Sequence, residues 1–519
     1  MKALHSRSLR SRLLSLLSAM LLLLPSPVEA VAVARQATAR IPDARFGIIE
    51  TYHATTDAAA SGAGWTRVTF EWNQIQPTGP ESWVEYPVAD TVLDAERAAG
   101  REVVGLLVTA PGWAWAQFGG KNVPSGLELP IDDPGNLWAT FVRQMVGRHR
   151  NRIRHWIIWN EPDIWGTDFQ SWGGSVEEFA RLMEVAYRVA REANPNAVIH
   201  LPAITHWWDA NYGRELFLER LLNALAQIPE AEKYGYFFDA FTLHLYFNVD
   251  TIYDLSQHYH GLLRAHGLSK PLWIVETNAP PSNDPAWPIQ GPNFNITLEE
   301  QASFMIQGIA MALAAGAERT AIYKMADREG DHVNAEPFGL VRLDGSRRPA
   351  FTAYQVATTY LAGFRQANLV RRDNATIINV RRSNGWTTVA WARGTEPVEI
   401  RIRANAKSAR VVNWRGNVKT IAAQGGFYTL TLPPSACTHP ANPCLIGGEV
   451  VMIVEGGVST GLPAPDPLPA APAAPTAPTA PATPAMPRPA VPTPPAAPRR
   501  PRQDNNHISQ HIPSVDFWC

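Results

Sequence analysis

The sequence contains little cysteine, with three residues in 519, and no Cys/His cluster has the spacing of a zinc site. We therefore expect no metal and no other cofactor. Cys437 and Cys444 flank the turn-rich stretch Thr-His-Pro-Ala-Asn-Pro, a spacing that predicts a small disulfide-closed loop in an exported protein. Two free thiols are the alternative for this pair, and Cys519 is expected to be unpaired.

An excess of charge of one sign is also missing, because 46 Lys and Arg residues face 47 Asp and Glu residues. No basic block lies in the part expected to fold, so nothing favours nucleic acid or an anionic membrane surface as a partner. Apolar residues make up 45% of the chain and charged residues 18%, which is enough apolar material for a sizeable core. The length suits one large domain with additional parts.

Long apolar runs are confined to the N-terminus, where residues 1–30 have the pattern of a signal peptide. The run from Leu13 to Leu24 is too short to cross a bilayer comfortably, and Val28-Glu29-Ala30 has small residues where a signal peptidase reads. The basic residues before the run are Lys2, His5, Arg7, Arg10 and Arg12. We expect cleavage near Ala30 and a secreted or extracytoplasmic protein, with an uncleaved membrane anchor as the alternative.

From about residue 44 to 363, short apolar runs alternate with amphipathic stretches, which is typical of parallel strands with helical crossovers. The eight runs are Phe46–Tyr52, Thr66–Trp72, Val103–Thr109, His155–Trp159, Val198–Ile204, Phe241–Phe247, Leu272–Val275 and Thr320–Met325. Eight such units predict an α/β fold, a (β/α)8 TIM barrel. The alternative is an open doubly wound sheet, but the Gly-rich turn that usually follows its first strand is missing.

Several helices of the barrel have recognisable first residues. Capping boxes at Ser175-Val-Glu-Glu and Thr297-Leu-Glu-Glu predict helices that run to Ala193 and to about Ala315, where Gly316 ends the second one. A further helix is expected to begin at Asp133 and Pro134 and to run to about Arg150.

After Gly363 the pattern changes to short β-rich runs separated by turns such as Ser383-Asn384-Gly385, which predicts a small all-β sandwich domain over residues 364–457. The runs are Thr376–Arg381, Trp386–Ala392, Val398–Arg403, Ala409–Asn413, Gly426–Leu432 and Glu449–Val454. Residues 458–519 form a tail, Pro- and Ala-rich from about 459 to 502, that is expected to be extended and disordered.

Two glutamates follow apolar strand residues at the rim where a TIM barrel carries its chemistry. Glu161 follows the fourth run in Trp-Asn-Glu-Pro, and Glu276 ends the seventh in Trp-Ile-Val-Glu. Strand alternation is expected to point Ile157, Trp159 and Glu161 the same way. Two carboxylates at one cavity suit glycosidic bond cleavage, where one must be protonated and the other ionised. For either glutamate alone, an ordinary salt bridge is the alternative.

The stretch Trp159-Asn160-Glu161-Pro162, together with Glu276 three strands later, resembles the signature of glycoside hydrolase clan A, most closely family 39 and next family 5. The resemblance covers the barrel and implies a retaining glycosidase with Glu161 as acid/base and Glu276 as nucleophile. It also implies that Asn160 contacts the 2-hydroxyl of the sugar and that Arg67 supports the nucleophile. His244 and Tyr246 match a strand-six pair often found near that nucleophile, with an interior ion pair and a core histidine as alternatives for Arg67 and His244.

The chain departs from the family pattern at the ends of strands seven and eight. Thr277-Asn278 follows Glu276 where many relatives have an aromatic residue, and Tyr323-Lys324 stands where a Trp is common. Lys324 is expected to bind an acidic sugar or to form a salt bridge. These departures affect the expected substrate more than the expected reaction.

Several of the 18 tryptophans follow predicted strands, where an indole can stack on the apolar face of a pyranose. We expect Trp113 and Trp208 to bind sugar in this way. Core packing and stacking are equally consistent with Trp72, Trp165, Trp207 and Trp287.

The predicted function is a double displacement on a plant or microbial oligo- or polysaccharide, in which Glu276 attacks the anomeric carbon while Glu161 protonates the leaving oxygen. A transglycosylase or a carbohydrate-binding pseudoenzyme on the same fold is the alternative. A metal-dependent barrel hydrolase is disfavoured because the first strand supplies only His53 instead of a His-x-His pair.

Overall fold

The structure is a computed structural model, which describes residues 43–85, 88–117, 120–167, 169–289, 292, 294–329, 337–437 and 444–457. The predicted signal peptide at 1–30 and the predicted tail at 458–519 lie outside these residues. Within the described part of the chain, no helix combines the length and the apolar character needed to cross a membrane.

Eight parallel strands close into a barrel, because β8 pairs with β1 as well as with β7. The strands are β1 (Asp43–Ile48), β2 (Ala63–Glu71), β3 (Glu102–Val108), β4 (Ile153–Ile158), β5 (Val198–Ile204), β6 (Ala240–His244), β7 (Leu272–Thr277) and β8 (Arg319–Ile322). Nearly every residue in them is buried, as expected for strands between a filled interior and a helical layer. The predicted TIM barrel is confirmed.

Helices connect the strands and cover the barrel. They are α1 (Thr55–Ser61), α2 (Trp72–Ile75), α3 (Asp90–Ala98), α4 (Leu137–Arg148), α5 (Val176–Ala193), α6 (Trp207–Asn211), α7 (Phe217–Ala226), α8 (Val249–Ala265), α9 (Leu298–Ala314) and α10 (Pro349–Tyr360). Both predicted capping boxes are present: Ser175 Oγ accepts from Glu178 N at 3.1 Å, and Thr297 Oγ1 accepts from Glu300 N at 3.0 Å.

The predicted start of α4 was wrong by several residues. The side chain of Asp133 accepts from Gly135 N at 2.7 Å and so stabilises a turn, whereas the Asn136 side chain accepts from Ala139 N at 3.0 Å. Asn136 is therefore the N-cap, and the helix runs from Leu137 to Arg148.

An antiparallel β region follows α10 and fits a sandwich. Its strands are β9 (Phe364–Arg371), β10 (Ala375–Arg382), β11 (Gly385–Ala392), β12 (Val398–Arg403), β13 (Ser408–Asn413), β14 (Val418–Ala422), β15 (Phe427–Leu432) and β16 (Val451–Gly456). Six of them form one sheet in the order β14-β13-β16-β11-β10-β9, and β12 pairs with β15. Cys437 and Cys444 are joined by a disulfide bond, as expected.

Two strands of this region, β9 and β14, were not predicted from the sequence. They are the two edges of the six-stranded sheet, and most of their side chains are exposed or half-buried. Because an edge strand pairs on one side only and faces water, it does not need the apolar run by which the inner strands were recognised.

The N-terminal end of the barrel contains a buried polar cluster near the first residues of five strands. His155 Nδ1 lies 2.9 Å from His200 Nε2, and His155 Nε2 lies 3.4 Å from a carboxylate oxygen of Glu102. Glu102 also pairs with Arg319 at 2.6 Å, and the Arg319 guanidinium lies 4.2 Å from the Trp273 ring centroid. Burial lowers the pKa of His200 to about 3 and that of His155 well below its ordinary value.

Candidate active site

The opposite, C-terminal rim of the barrel concentrates unusual backbone conformations. Non-glycine residues with positive φ follow five of the eight strands: Glu50 (60°), Thr109 (61°), Trp159 (75°), Glu161 (44°), His206 (73°) and Phe247 (61°). Such conformations cost free energy and persist only where surrounding contacts enforce them, and they cluster at functional sites.

Glu161 is one of these residues, and its position differs from the predicted alternation. The strand β4 ends at Ile158, and the positive φ of Trp159 and Glu161 interrupts the extended chain that alternation requires. Glu161 N donates instead to the carbonyl oxygen of Ala203 on β5, at 2.9 Å. The Glu161 side chain is 20% exposed, and its Oε1 lies 2.6 Å from His244 Nδ1. The loop therefore leaves this carboxylate partly exposed at the rim.

Glu276 lies on β7 and is more deeply buried, with a side-chain exposure of 8%. Its Oε1 pairs with Arg67 Nη2 at 2.5 Å, and its Oε2 accepts a hydrogen bond from the Tyr246 hydroxyl at 2.5 Å. Burial alone would raise the pKa of Glu276. The charges of Arg67 and His244 and the hydrogen bonds from Tyr246 and Arg67 outweigh burial, so the pKa is lowered and the group is ionised at neutral pH.

Tyr246 is a permanent hydrogen-bond donor in this arrangement. Burial, followed by the charge of Glu276, raises the pKa of the Tyr246 phenol well above its ordinary value. Arg67 and Tyr246 thus occupy both oxygens of the same carboxylate, from β2 and from the loop after β6.

His244, at the end of β6, contacts both glutamates and is buried. Its Nδ1 faces Glu161, while its Nε2 lies 3.5 Å from Glu276 Oε1 and 3.5 Å from Arg67 Nη1. One carboxylate oxygen of each glutamate lies within 4.8 Å of the other. The structure therefore brings together Glu161, Glu276, Arg67, His244 and Tyr246, as the sequence predicted.

Glu161, His244 and Glu276 each have one possible ligand atom within 4.8 Å of the others, which is close enough for the three to coordinate a metal ion. However, the Arg67 guanidinium already neutralises Glu276, and a divalent cation bound there would lie beside this positive charge. The residues present therefore fit a metal poorly.

Three other predicted site residues are only half-buried, and they have hydrogen-bond partners outside this cluster. Asn160 is half-buried next to Glu161, and its carbonyl oxygen accepts from Ser171 Oγ at 2.6 Å. Trp113 is half-buried after β3 and donates from Nε1 to the carbonyl oxygen of Gln76 at 2.8 Å. Trp208 is half-buried on α6.

Lys324 is buried, and its Nζ lies 3.8 Å from Glu50 Oε2 after β1. This contact corresponds to the salt bridge weighed for Lys324, whereas its role toward an acidic sugar stays a prediction. The neighbouring Tyr323 ring, joined to Lys324 by a cis peptide bond, lies edge-on to Tyr246 with 6.4 Å between the ring centroids. Of the two residues that follow β8, Tyr323 is thus the one whose side chain borders Tyr246, the hydrogen-bond partner of Glu276.

Sequence reasoning missed Asp163, which connects the loops after β4 and β5. Its Oδ2 accepts from Thr205 N at 2.7 Å, from Thr205 Oγ1 at 2.8 Å and from His206 N at 3.1 Å. Burial raises the pKa of Asp163 to about 7. The signal in the sequence was a second acidic residue two positions after Glu161.

Comparison with known proteins supports the fold only. No protein-family profile matches the chain, and no curated protein sequence matches it significantly. Among solved structures, it is similar to a family 39 glycoside hydrolase from the gut symbiont Bacteroides cellulosilyticus WH2, with a TM-score of 0.58, 15% identity and coverage of 80% of this chain and 81% of that one.

Two further solved structures are similar over nearly their whole length. A GH30 endoxylanase from Clostridium papyrosolvens C71 has a TM-score of 0.52 and 12% identity, with 81% of this chain and 98% of that one covered. A monomeric beta-xylosidase from Caulobacter crescentus CB15 has a TM-score of 0.51 and 14% identity, with coverage of 80% and 97%. The predicted resemblance to clan A glycoside hydrolases, family 39 in particular, is confirmed at the level of the fold.

Proposed function

We propose that this protein is a secreted retaining glycoside hydrolase that cleaves O-glycosidic bonds in a plant or microbial oligo- or polysaccharide. The observation that carries the proposal is the pair of rim carboxylates with different surroundings. Glu276 is buried and neutralised by Arg67, whereas Glu161 is partly exposed and contacts His244. Different surroundings allow two carboxylates to perform different steps of one reaction.

In the proposed first step, the ionised Glu276 attacks the anomeric carbon and forms a covalent glycosyl-enzyme. Its lowered pKa favours the anionic form, and the hydrogen bonds from Arg67 and Tyr246 orient its two oxygens. Glu161 donates a proton to the leaving oxygen and then removes a proton from the water that releases the sugar.

The short distance between the carboxylates favours retention. Retaining glycosidases hold their carboxyl groups about 5–5.5 Å apart, whereas inverting enzymes need about 6.5–9.5 Å to admit a water molecule. One carboxylate oxygen of Glu161 lies within 4.8 Å of one of Glu276, which supports the shorter, retaining separation.

Export is part of the proposal and is supported by two separate features. The first 30 residues have the pattern of a signal peptide, and the disulfide between Cys437 and Cys444 is typical of an oxidising compartment.

The decisive experiment measures turnover of aryl gluco-, xylo-, arabino- and glucuronosides by the purified protein, and records the first-formed anomer by proton NMR. The xylosides come first, since two similar structures are a xylanase and a xylosidase. We expect turnover of at least one substrate with retained configuration. An inverted first product contradicts the mechanism, and transfer to added saccharide in place of hydrolysis identifies a transglycosylase. Saccharide binding without turnover identifies a pseudoenzyme.

A further inference from the structure

Three aromatic side chains lie together on the rim, one in the loop after β4 and two at the short helix α6 after β5. The Trp165 and Trp208 ring centroids are 6.5 Å apart with perpendicular planes. The Tyr212 ring lies 5.4 Å from Trp165 and 5.6 Å from Trp208. We call Trp165, Trp208 and Tyr212 the aromatic shelf.

The shelf is held by hydrogen bonds to the protein. Trp165 Nε1 donates to Asp209 Oδ1 at 2.9 Å, and the buried Asp209 pairs with Arg220 at 3.1 Å. Trp208 Nε1 donates to the carbonyl oxygen of Trp165 at 2.6 Å. Both indoles are thereby fixed in orientation, which lowers the entropic cost of using them as a binding surface.

The shelf differs from the aromatic core next to it. Trp138 and Trp159 are fully buried and pack edge-on with 6.0 Å between their ring centroids. Tyr212, in contrast, is 51% exposed, Trp165 and Trp208 are half-buried, and the Arg214 guanidinium lies 5.1 Å from the Trp165 ring centroid at the surface. Packing alone gives no reason to expose three large aromatic rings side by side.

The position of the shelf relates it to Glu161. Trp165 follows Glu161 by four residues, and Ile164 N donates to the Glu161 carbonyl oxygen at 3.2 Å, which keeps the intervening chain in a tight turn. Asp163 fastens this loop to the loop that leads into α6, through its three hydrogen bonds from Thr205 and His206. The shelf is therefore built on the same hydrogen-bonded pair of loops as Glu161.

We propose that the aromatic shelf binds the saccharide on the leaving-group side of the scissile bond, so that the preferred substrate is a chain extending past Glu161. The inference rests on the proposed function, because Glu161 donates its proton to the leaving oxygen and the chain that continues from it borders the leaving group. Indole and phenol rings match the apolar faces of sugar rings, and the nearby Arg214 guanidinium supplies hydrogen-bond donors for hydroxyl groups.

The test compares substrates that reach the shelf with substrates that do not. kcat/KM is measured for an aryl glycoside and for di- to hexasaccharides of the same sugar, in the wild-type protein and in Trp165→Ala and Tyr212→Ala. We expect a loss of about tenfold for the longer saccharides with Trp165→Ala and less than about twofold for the aryl glycoside. Tyr212→Ala, at an exposed position, should show the same contrast more weakly. The matched control is Trp386→Ala, an exposed tryptophan on β11, which should change neither value.

Equal losses of kcat/KM on short and long substrates, or no loss on either, would overturn the proposal that the shelf binds saccharide. If the wild-type protein turns over no aryl glycoside or saccharide, the proposed function fails separately. In that case, binding of xylohexaose and cellohexaose is measured by calorimetry. Weaker binding by Trp165→Ala and Tyr212→Ala, with binding by Trp386→Ala unchanged, supports the shelf as a saccharide-binding site in a protein without catalytic activity. Binding unchanged in these variants, or none at all, overturns it.

Discussion

Both ends of the barrel contain histidine, arginine and carboxylate groups, but the two ends differ in which of these groups is buried and charged. At the N-terminal end, His155 and His200 contact each other, and the carboxylate of Glu102 is 31% exposed. At the C-terminal end, His244 contacts two carboxylates, and Glu276 beside Arg67 is 8% exposed. The first end buries uncharged imidazoles, whereas the second buries an anion.

The backbone is also unusual at the C-terminal end. Positive φ values at non-glycine residues follow β1, β3, β4, β5 and β6 at the C-terminal end, where Glu161 itself adopts 44°. Positive φ is not confined to this end, since Glu230, Tyr236 and Phe237 adopt it between α7 and β6. The C-terminal end is distinguished by combining such conformations with the two paired carboxylates, so we assign function to this end and scaffolding to the other. Four predictions test this division.

Glu276→Gln should have the largest effect, because it removes the proposed nucleophile. We expect kcat to fall by about 10⁴-fold or more while the protein stays folded. Steady-state turnover of an aryl glycoside measures the loss, and a melting curve checks the fold. Near-normal turnover would remove Glu276 from the reaction.

Glu161→Gln should have a smaller effect that depends on the leaving group. A general acid contributes about 10²–10⁴-fold, and an activated leaving group needs it less. We expect kcat/KM to fall severely with poor leaving groups and only mildly with dinitrophenyl glycosides. For dinitrophenyl glycosides kcat should still fall, because breakdown of the glycosyl-enzyme then limits turnover and lacks its general base. Equal losses across a series of leaving groups would contradict the assignment of Glu161 as acid/base.

Tyr246→Phe removes one of the hydrogen bonds that lower the pKa of Glu276. The pKa of Glu276 should rise, and because attack requires the ionised form, the acidic limb of kcat/KM should move to higher pH. At the optimum we expect a loss of about tenfold, which corresponds to one hydrogen bond to a charged group. If kcat/KM falls equally at every pH and the acidic limb does not move, Tyr246 has a structural role alone.

His200→Gln, at the scaffolding end, should affect stability and leave turnover within about twofold of the wild type. The folded-state pKa of His200 is about 3, below the ordinary value of about 6.5, so the unfolded chain binds the proton more readily. The contribution of His200 is thus complete above pH 6.5 and is lost as the pH falls toward 3. The melting temperature of His200→Gln should therefore fall less steeply than that of the wild type as the pH is lowered from 6.5 toward 3. Equal pH dependence in the two proteins would contradict the prediction.

The barrel was predictable because its signals are local. Continuous apolar runs appear wherever a strand is buried on both faces, and Ser175 and Thr297 open helices through contacts only three residues apart. The edge strands β9 and β14 were missed because exposure removes that signal. The start of α4 was misplaced because either Asp133 or Asn136 is a good cap, and only the folded turn selects between them.

At the candidate site, the sequence predicted the residues but only part of their geometry. It indicated that Glu161 and Glu276 lie at one rim, since both follow strands of the same parallel barrel. It did not indicate that Glu161 adopts positive φ, that Asp163 fastens two loops, or that Lys324 faces Glu50. Each of these depends on a partner from another loop.

The sequence by itself determined the eight strands of the barrel, the pair of glutamates and the kind of chemistry that such a pair suits, since these follow from periodicity and from residues a few positions apart. Only the tertiary structure decided how Arg67 and Tyr246 divide the two oxygens of Glu276, how His244 contacts both carboxylates, and which tryptophans are core and which lie on the rim. These features join residues as far apart as Arg67 and Glu276, and contacts over such separations arise only when the barrel closes.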